Sequence, residues 1–235
     1  MTAPLAAVHL TRRSHEARAR RLTALLCLAL TFGLVMALQH WTHGFEVWTF
    51  DGRRQLQWQA GELRAQPVAL RRSDGSTPRL WGDAGAMPAA YLVDFIYTRC
   101  PSVCRALGGE YQQMQRALIL RQGSDPTLRG VHLVSISFDV EHDSPTQLAR
   151  HAADLRADPL VWSLAVPATP GDASALLRSL GVVVIPDGEG GFVHNGDIHL
   201  MDERGRLRGL FAFDQWPQAL EAAQRLAATR PEASR

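Results

Sequence analysis

A mixed α/β domain carried on one N-terminal membrane-spanning helix is the architecture this sequence predicts. Three observations lead to it. An uncharged stretch of 17 residues follows a cluster of arginines. Behind it, apolar strand-like runs alternate with helix-periodic segments, which implies parallel pairing with helices on both faces of a sheet. A closing hairpin then adds antiparallel edges.

The uncharged stretch is Leu22 to Leu38, preceded by Arg12, Arg13, Arg18, Arg20 and Arg21. It meets the lower end of the roughly 17–25 residues that span a bilayer. Basic residues on one side place residues 1–21 in the cytoplasm and send the remainder across. Trp41, His40 and His43 suit the headgroup boundary. No small-x-small site follows the apolar run, so an uncleaved anchor at 22–38 is expected rather than a signal peptide. Cys27 lies inside that run, where it behaves as a small hydrophobe.

Residues 39–66 read as a linker with some local structure, and a helical reading of the stretch is also open. Phe45 to Phe50 alternates apolar and polar, and Asp51-Gly52 is a turn signal. The globular pattern runs from 67 to 227, with a tail at 228–235. Val68 to Arg71, a turn at Ser73 to Ser76, and Pro78 to Trp81 read as a hairpin. Ala90 to Tyr97 and Val131 to Phe138 are nearly continuous apolar runs suited to buried strands. Between them, Leu107, Tyr111, Met114 and Leu118 mark one face of a helix from Cys104 to Gln122. Ser144 as N-cap and Pro145 at N1 start a helix to Leu155. A strand from Leu160 to Val166, a helix from Gly171 to Leu180 stopped by Gly181, and a hairpin of Ile198 to Asp202 with Leu207 to Phe213 follow. A helix from Trp216 to Ala227 closes the domain.

The chain has 25 basic and 23 acidic residues, and every basic one is arginine. The near balance leaves no nucleic-acid partner to expect, and lysine chemistry is excluded. The chemistry-bearing stretch is Phe95 to Arg105, FIYTRCPSVCR. A buried strand ends there and a helix begins at or just after Cys100, with Pro101 fitting the first turn. The helix N-terminus favours a thiolate at Cys100. Cys100 and Cys104 are i and i+4, so their Cβ atoms lie about 5–6 Å apart on one helix face. Two thiolates at that spacing clamp one metal ion, or close a disulfide after modest adjustment. Two sulfurs do not complete a zinc site, whereas soft thiolates select Cu(I). The third ligand expected is imidazole.

Nine histidines are available. His9, His15, His40 and His43 precede the domain. His132 reads as a satisfied core or edge residue, and His142 and His151 as exposed ones. His194 follows the Gly-rich PDGEGGF loop and stands at a strand entrance, while His199 lies within the strand. Local pattern favours His194.

These residues resemble the SCO/SenC family of copper-binding, thioredoxin-like proteins. The resemblance covers roughly 67–227 and is carried by the S-D-G turn, Y-T-x-C-P-x-x-C, S-F-D-V-E-H-D-S-P, and a histidine six residues before L-M-D-E-R-G-R-L. It implies copper, as Cu(I) or Cu(II), held by Cys100, Cys104 and His194. It points to Asp139 as a residue that supports a ligand or orders the loop. It implies a domain facing the periplasm from the inner membrane, a copper donor protein, and a copper-receiving oxidase subunit with a dinuclear centre. Arg105 replaces the proline usual after the second cysteine, and Asp94 interrupts an otherwise apolar strand and needs a partner if buried.

Two enzymatic readings compete with a metallochaperone. A thiol-disulfide oxidoreductase would attack with Cys100 and resolve with Cys104, with no need of a histidine. A thiol peroxidase would use the Thr98-x-Cys100 pair, but needs no second cysteine one turn later.

Overall fold

The computed structural model describes residues 5–42, 44–45, 47–77, 81, 88–100, 103–122 and 130–229. The side chains of 5–17, 51, 103–106 and 122 lie outside that description. The chain divides into two compact units, Met1–Arg53 and Arg54–Arg235.

In the first unit, helix α1 runs from Leu5 to Trp41. Its segment Arg18–Trp41 is long and apolar enough to cross a membrane, and it contains the expected 22–38 stretch. Leu22, Leu26, Leu30 and Phe32 are all exposed.

The stretch expected to be a linker holds a second helix, α2, from Phe50 to Gln59. Residues from Arg54 onward group with the globular unit. Its composition hides it: FDGRRQLQWQ is polar, and among its described side chains the one strongly buried is an arginine.

The globular unit is built on a six-stranded sheet of order β1-β4-β3-β2-β7-β8. The strands are β1 (Leu70–Arg72), β2 (Ala90–Ile96), β3 (Val131–Ser137), β4 (Trp162–Pro167), β7 (Asp197–Asp202) and β8 (Leu207–Ala212). β2, β3 and β4 pair in parallel, joined by α3 (Val103–Gln122) and α4 (Pro145–Leu155). β7 adds antiparallel to β2, and β8 to β7, as the closing hairpin predicts. β1 pairs antiparallel with β4, and its turn closes through Gly75 N–H to the Arg72 carbonyl at 2.9 Å. Residues 78–80, the expected second arm of that hairpin, lie outside the described residues. Two short strands, β5 (Val184–Pro186) and β6 (Phe192–His194), form a separate ribbon where a loop was expected.

Every residue of β2 is buried, so the sheet has a core on each face. Leu92 and Ile96 pack with Leu107, Tyr111, Met114 and Leu118 of α3 and with Leu220 of α6 (Trp216–Ala228). Tyr91, Val93 and Phe95 face the other way, with Leu176 of α5 (Pro170–Ser179). The α4 start is a full capping box: Ser144 Oγ accepts from Gln147 N–H, and the Gln147 side chain accepts from Ser144 N–H.

Asp94 is paired in register with Ser135 of β3 and is 1% exposed. Burial raises its pKa to about 7, partly opposed by a hydrogen bond with Ser135. Trp162 Nε1 donates to the same Ser135 hydroxyl at 2.9 Å. Between about pH 4 and 7 the unfolded chain ionises this carboxyl while the folded chain keeps its proton. Its contribution to stability is therefore full below pH 4 and is lost as pH rises through 7. We expect the urea midpoint of the full chain in detergent to carry this falling leg, and Asp94→Asn to flatten it.

Candidate metal centre

Strand β2 ends at Ile96, and the chain turns at once: Cys100 N–H donates to the Tyr97 carbonyl at 3.2 Å. Cys100 is half-buried against the α3-side core. Helix α3 begins at Val103, so Cys104 lies in its first turn. Residues 101–102 and the side chains of Cys104 and Arg105 lie outside the described residues.

His194 closes β6, paired with Val184. Tyr97 joins this strand to the cysteine turn. Its hydroxyl donates to the Phe192 carbonyl at 3.3 Å and accepts from Phe192 N–H at 3.2 Å. The ring of His194 lies 6.2 Å from that of Tyr97 and 5.1 Å from that of Phe138, centroid to centroid. Phe192 completes the aromatic wall against both Tyr97 and Phe138. A Cβ on Gly191 would lie 2.4 Å from an Asp187 carboxylate oxygen and 3.2 Å from the Tyr97 hydroxyl. A side chain there would displace the Asp187 carboxylate and press on the Tyr97 hydroxyl.

Burial behind this wall holds the His194 pKa below the ordinary imidazole value, although the Asn195 backbone and Asp197 pull it upward. The ring is therefore neutral at pH 7. Its Nδ1 lies 3.1 Å from the Asn195 carbonyl, an acceptor, so Nδ1 carries the proton and Nε2 the lone pair. A neutral imidazole with its tautomer set by a backbone carbonyl is the form that ligates soft and borderline metals.

A second layer of polar contacts orders the loop beside Cys100. Asp139 accepts from Arg99 at 2.9 Å and pairs with His142 at 2.8 Å. Burial alone would raise this carboxyl, but those two partners outweigh it and hold its pKa below the ordinary value. Asp143 is completely buried. It accepts from Thr98 N–H at 2.9 Å, Thr98 Oγ at 2.6 Å and Ser137 Oγ at 2.6 Å. The family resemblance points to Asp139, and neither it nor the residue-level reading singles out Asp143. The available signal was an aspartate directly before an N-cap serine, four residues after the first.

His132 and His142 fall as their patterns suggest, and His151, read as exposed, does not. His132 bonds Ser163 Oγ at 2.8 Å. His142 is exposed, and His151 is half-buried on α4. His199 is buried, edge-on to Phe95, and bonded to the Val93 carbonyl. Among the described residues no group of three or more His, Cys, Asp or Glu side chains is gathered to hold a metal; Cys104 is not among them.

A central strand running into a paired-cysteine helix start, within a mixed sheet flanked by helices, defines a thioredoxin-like domain. The profile of the SCO1/SenC family matches residues 83–229, more than half of the chain. A SCO1 protein homolog of Bacillus subtilis is 25% identical over 144 residues, 60% of this chain and 70% of its own length. The copper-bound ScoI of Bradyrhizobium japonicum is 25% identical with a TM-score of 0.54, covering 71% of this chain and 99% of its own. BsSco, described as a member of the Sco family of cytochrome c oxidase assembly proteins with a disulfide switch, gives 0.59 at 18% identity, covering 72% and 96%. The chain belongs to the SCO1/SenC family.

Removing Asp143 strands three donors at the foot of the cysteine turn. Asp143→Ala is expected to lower the unfolding free energy by about 3 kcal/mol. Asp139→Ala, whose partners are half-exposed, is expected to cost about 1 kcal/mol. Urea titration of the full chain in detergent compares the two.

Proposed function

We propose that this protein is a copper metallochaperone of the inner membrane, holding one copper ion through Cys100, Cys104 and His194. The observation that carries the reading is the Tyr97 hydroxyl, which ties the turn of Cys100 to the strand of His194. The donor set fits copper. Two thiolates and one neutral imidazole suit Cu(I), and are one ligand short of a structural zinc site. A bound copper ion supplies the cargo; the chain's own task is to hold three donors in register and to keep water off one side of them. The aromatic wall of Tyr97, Phe138 and Phe192 does the second.

In this reading the arginine-flanked apolar helix anchors the chain, and the cysteine domain faces the periplasm. It receives copper from a donor protein and passes it to the dinuclear copper centre of cytochrome c oxidase. Similarity to copper-bound ScoI supports the copper, and similarity to an oxidase assembly protein supports its destination. Asp139 orders the loop that carries Arg99, the residue directly before Cys100.

A second reading is favoured by the i, i+4 spacing and by the disulfide switch described for BsSco. Cys100 and Cys104 would close a disulfide and pass two electrons and two protons to a partner disulfide, leaving it as two thiols.

Anaerobic Cu(I) titration of the reduced full chain in detergent separates these. The metallochaperone binds one equivalent, and His194→Ala weakens binding at least about tenfold. Absence of stoichiometric binding, with reduction of a test disulfide at the same rate in wild type and His194→Ala, would establish the oxidoreductase instead.

A further inference from the structure

The β5–β6 ribbon that carries His194 joins the domain at two feet. One is Leu180 to Val183, leading into β5. The other is Asn195 to Asp197, leading from β6 into β7. A single guanidinium reaches both. Arg54 of α2 is 2% exposed, and its Nε donates to the Leu180 carbonyl at 3.1 Å. One terminal nitrogen pairs with the Asp197 carboxylate, and the other meets Nε2 of His199. Arginine only donates, so His199 Nε2 accepts and its Nδ1–H donates to the Val93 carbonyl at 3.2 Å. Burial, then the nearby guanidinium, hold this ring well below its ordinary pKa, in agreement with the neutral form.

The arginine stem is also built in. Gly181 sits at φ +64°, and a Cβ there would lie 3.1 Å from Arg54 Cγ and 3.3 Å from Cδ. The first foot is thus shaped to let the stem pass. A separate bond crosses between the feet, from Val183 N–H to Asn195 Oδ1 at 3.1 Å. Nothing else among the described contacts binds Leu180, Asp197 and the core strand β7 through one group. Arginine's planar fork suits the task, because three acceptors in different directions need three donors in fixed geometry.

We infer that Arg54 is a positioning residue for His194: it clamps both feet of the ribbon and so sets where the imidazole stands over the Cys100 turn. The inference rests on the copper reading above for its consequence, but the clamp itself does not. Lysine at this position keeps the charge and reaches one partner instead of three. Asp197, 24% exposed, gives a milder way to open the second foot alone.

The test uses the full chain in detergent: wild type, Arg54→Lys, Asp197→Asn, His194→Ala, and the Arg54→Lys/His194→Ala pair. Cu(I) affinity is read by competition with a chromophoric chelator, and hydrogen exchange reports on residues 184–194 without metal. We expect Arg54→Lys to weaken Cu(I) about tenfold and Asp197→Asn by less, and removal of His194 to add no more than about twofold in the Arg54→Lys background. Ribbon amides should exchange at least about tenfold faster in Arg54→Lys, with β2 and β3 amides unchanged. Wild-type affinity and exchange in Arg54→Lys, or losses that simply multiply, would overturn the inference. If Arg54→Lys does not fold, Asp197→Asn decides by the same two readouts. If His194→Ala leaves Cu(I) binding intact in the wild-type background, the copper reading fails, and ribbon exchange alone then decides the clamp.

Discussion

One phenol hydroxyl organises the region around Cys100 and His194. Tyr97 stands just past the end of a strand buried at every residue, and its oxygen makes both hydrogen bonds that a neighbouring strand would make to Phe192. A rigid aromatic side chain does this at low entropic cost, since it has few rotamers to lose. The backbone of the same residue accepts from Cys100 N–H. The cysteine turn and the histidine strand, 94 positions apart in sequence, are therefore referenced to one residue. The rings gathered around that joint also desolvate His194 and keep it neutral. Position and protonation state thus have a common cause.

Buried acids in the domain are handled in contrasting ways. Asp143 is surrounded by donors from Thr98 and Ser137. Burial would raise the Asp202 pKa, but the Arg206 and Arg204 N–H groups and the Arg206 guanidinium hold it below the ordinary value, and Arg208 donates to the same carboxylate. Asp94 has neither cation nor backbone cage, so the cost of desolvation falls on its ionisation instead. The donor-rich carboxyl beside Thr98 braces a loop; the donor-poor one beneath α3 stays protonated into the neutral range.

Much of the fold was legible because burial leaves a periodic trace. Nearly continuous apolar runs at Ala90 to Tyr97 and Val131 to Phe138 became the two central strands, and the 107, 111, 114, 118 stripe became the buried face of α3. Ser144-Pro145 became a capped helix start because capping chemistry is local. Helix α2 left no such trace. Its decisive buried residue is Arg54, and arginine reads as surface until its partners 126 to 145 positions away are known. The β5–β6 ribbon was hidden for a related reason: Gly-rich PDGEGGF has turn composition, and its flanking strands are three residues each.

By itself, the sequence determined the membrane-compatible apolar segment, the alternation of strand and helix, the paired cysteines at a strand-to-helix junction and the motif set shared with the SCO1/SenC family. Each of these is written in residues within a few positions of one another. The tertiary structure alone decided how the cysteine turn and His194 are tied together through Tyr97, that Asp143 braces Thr98, and that Arg54 binds both feet of the ribbon. Those depend on contacts across 45 to 145 positions. No local pattern encodes them, because their energy exists only once the sheet has brought distant segments together.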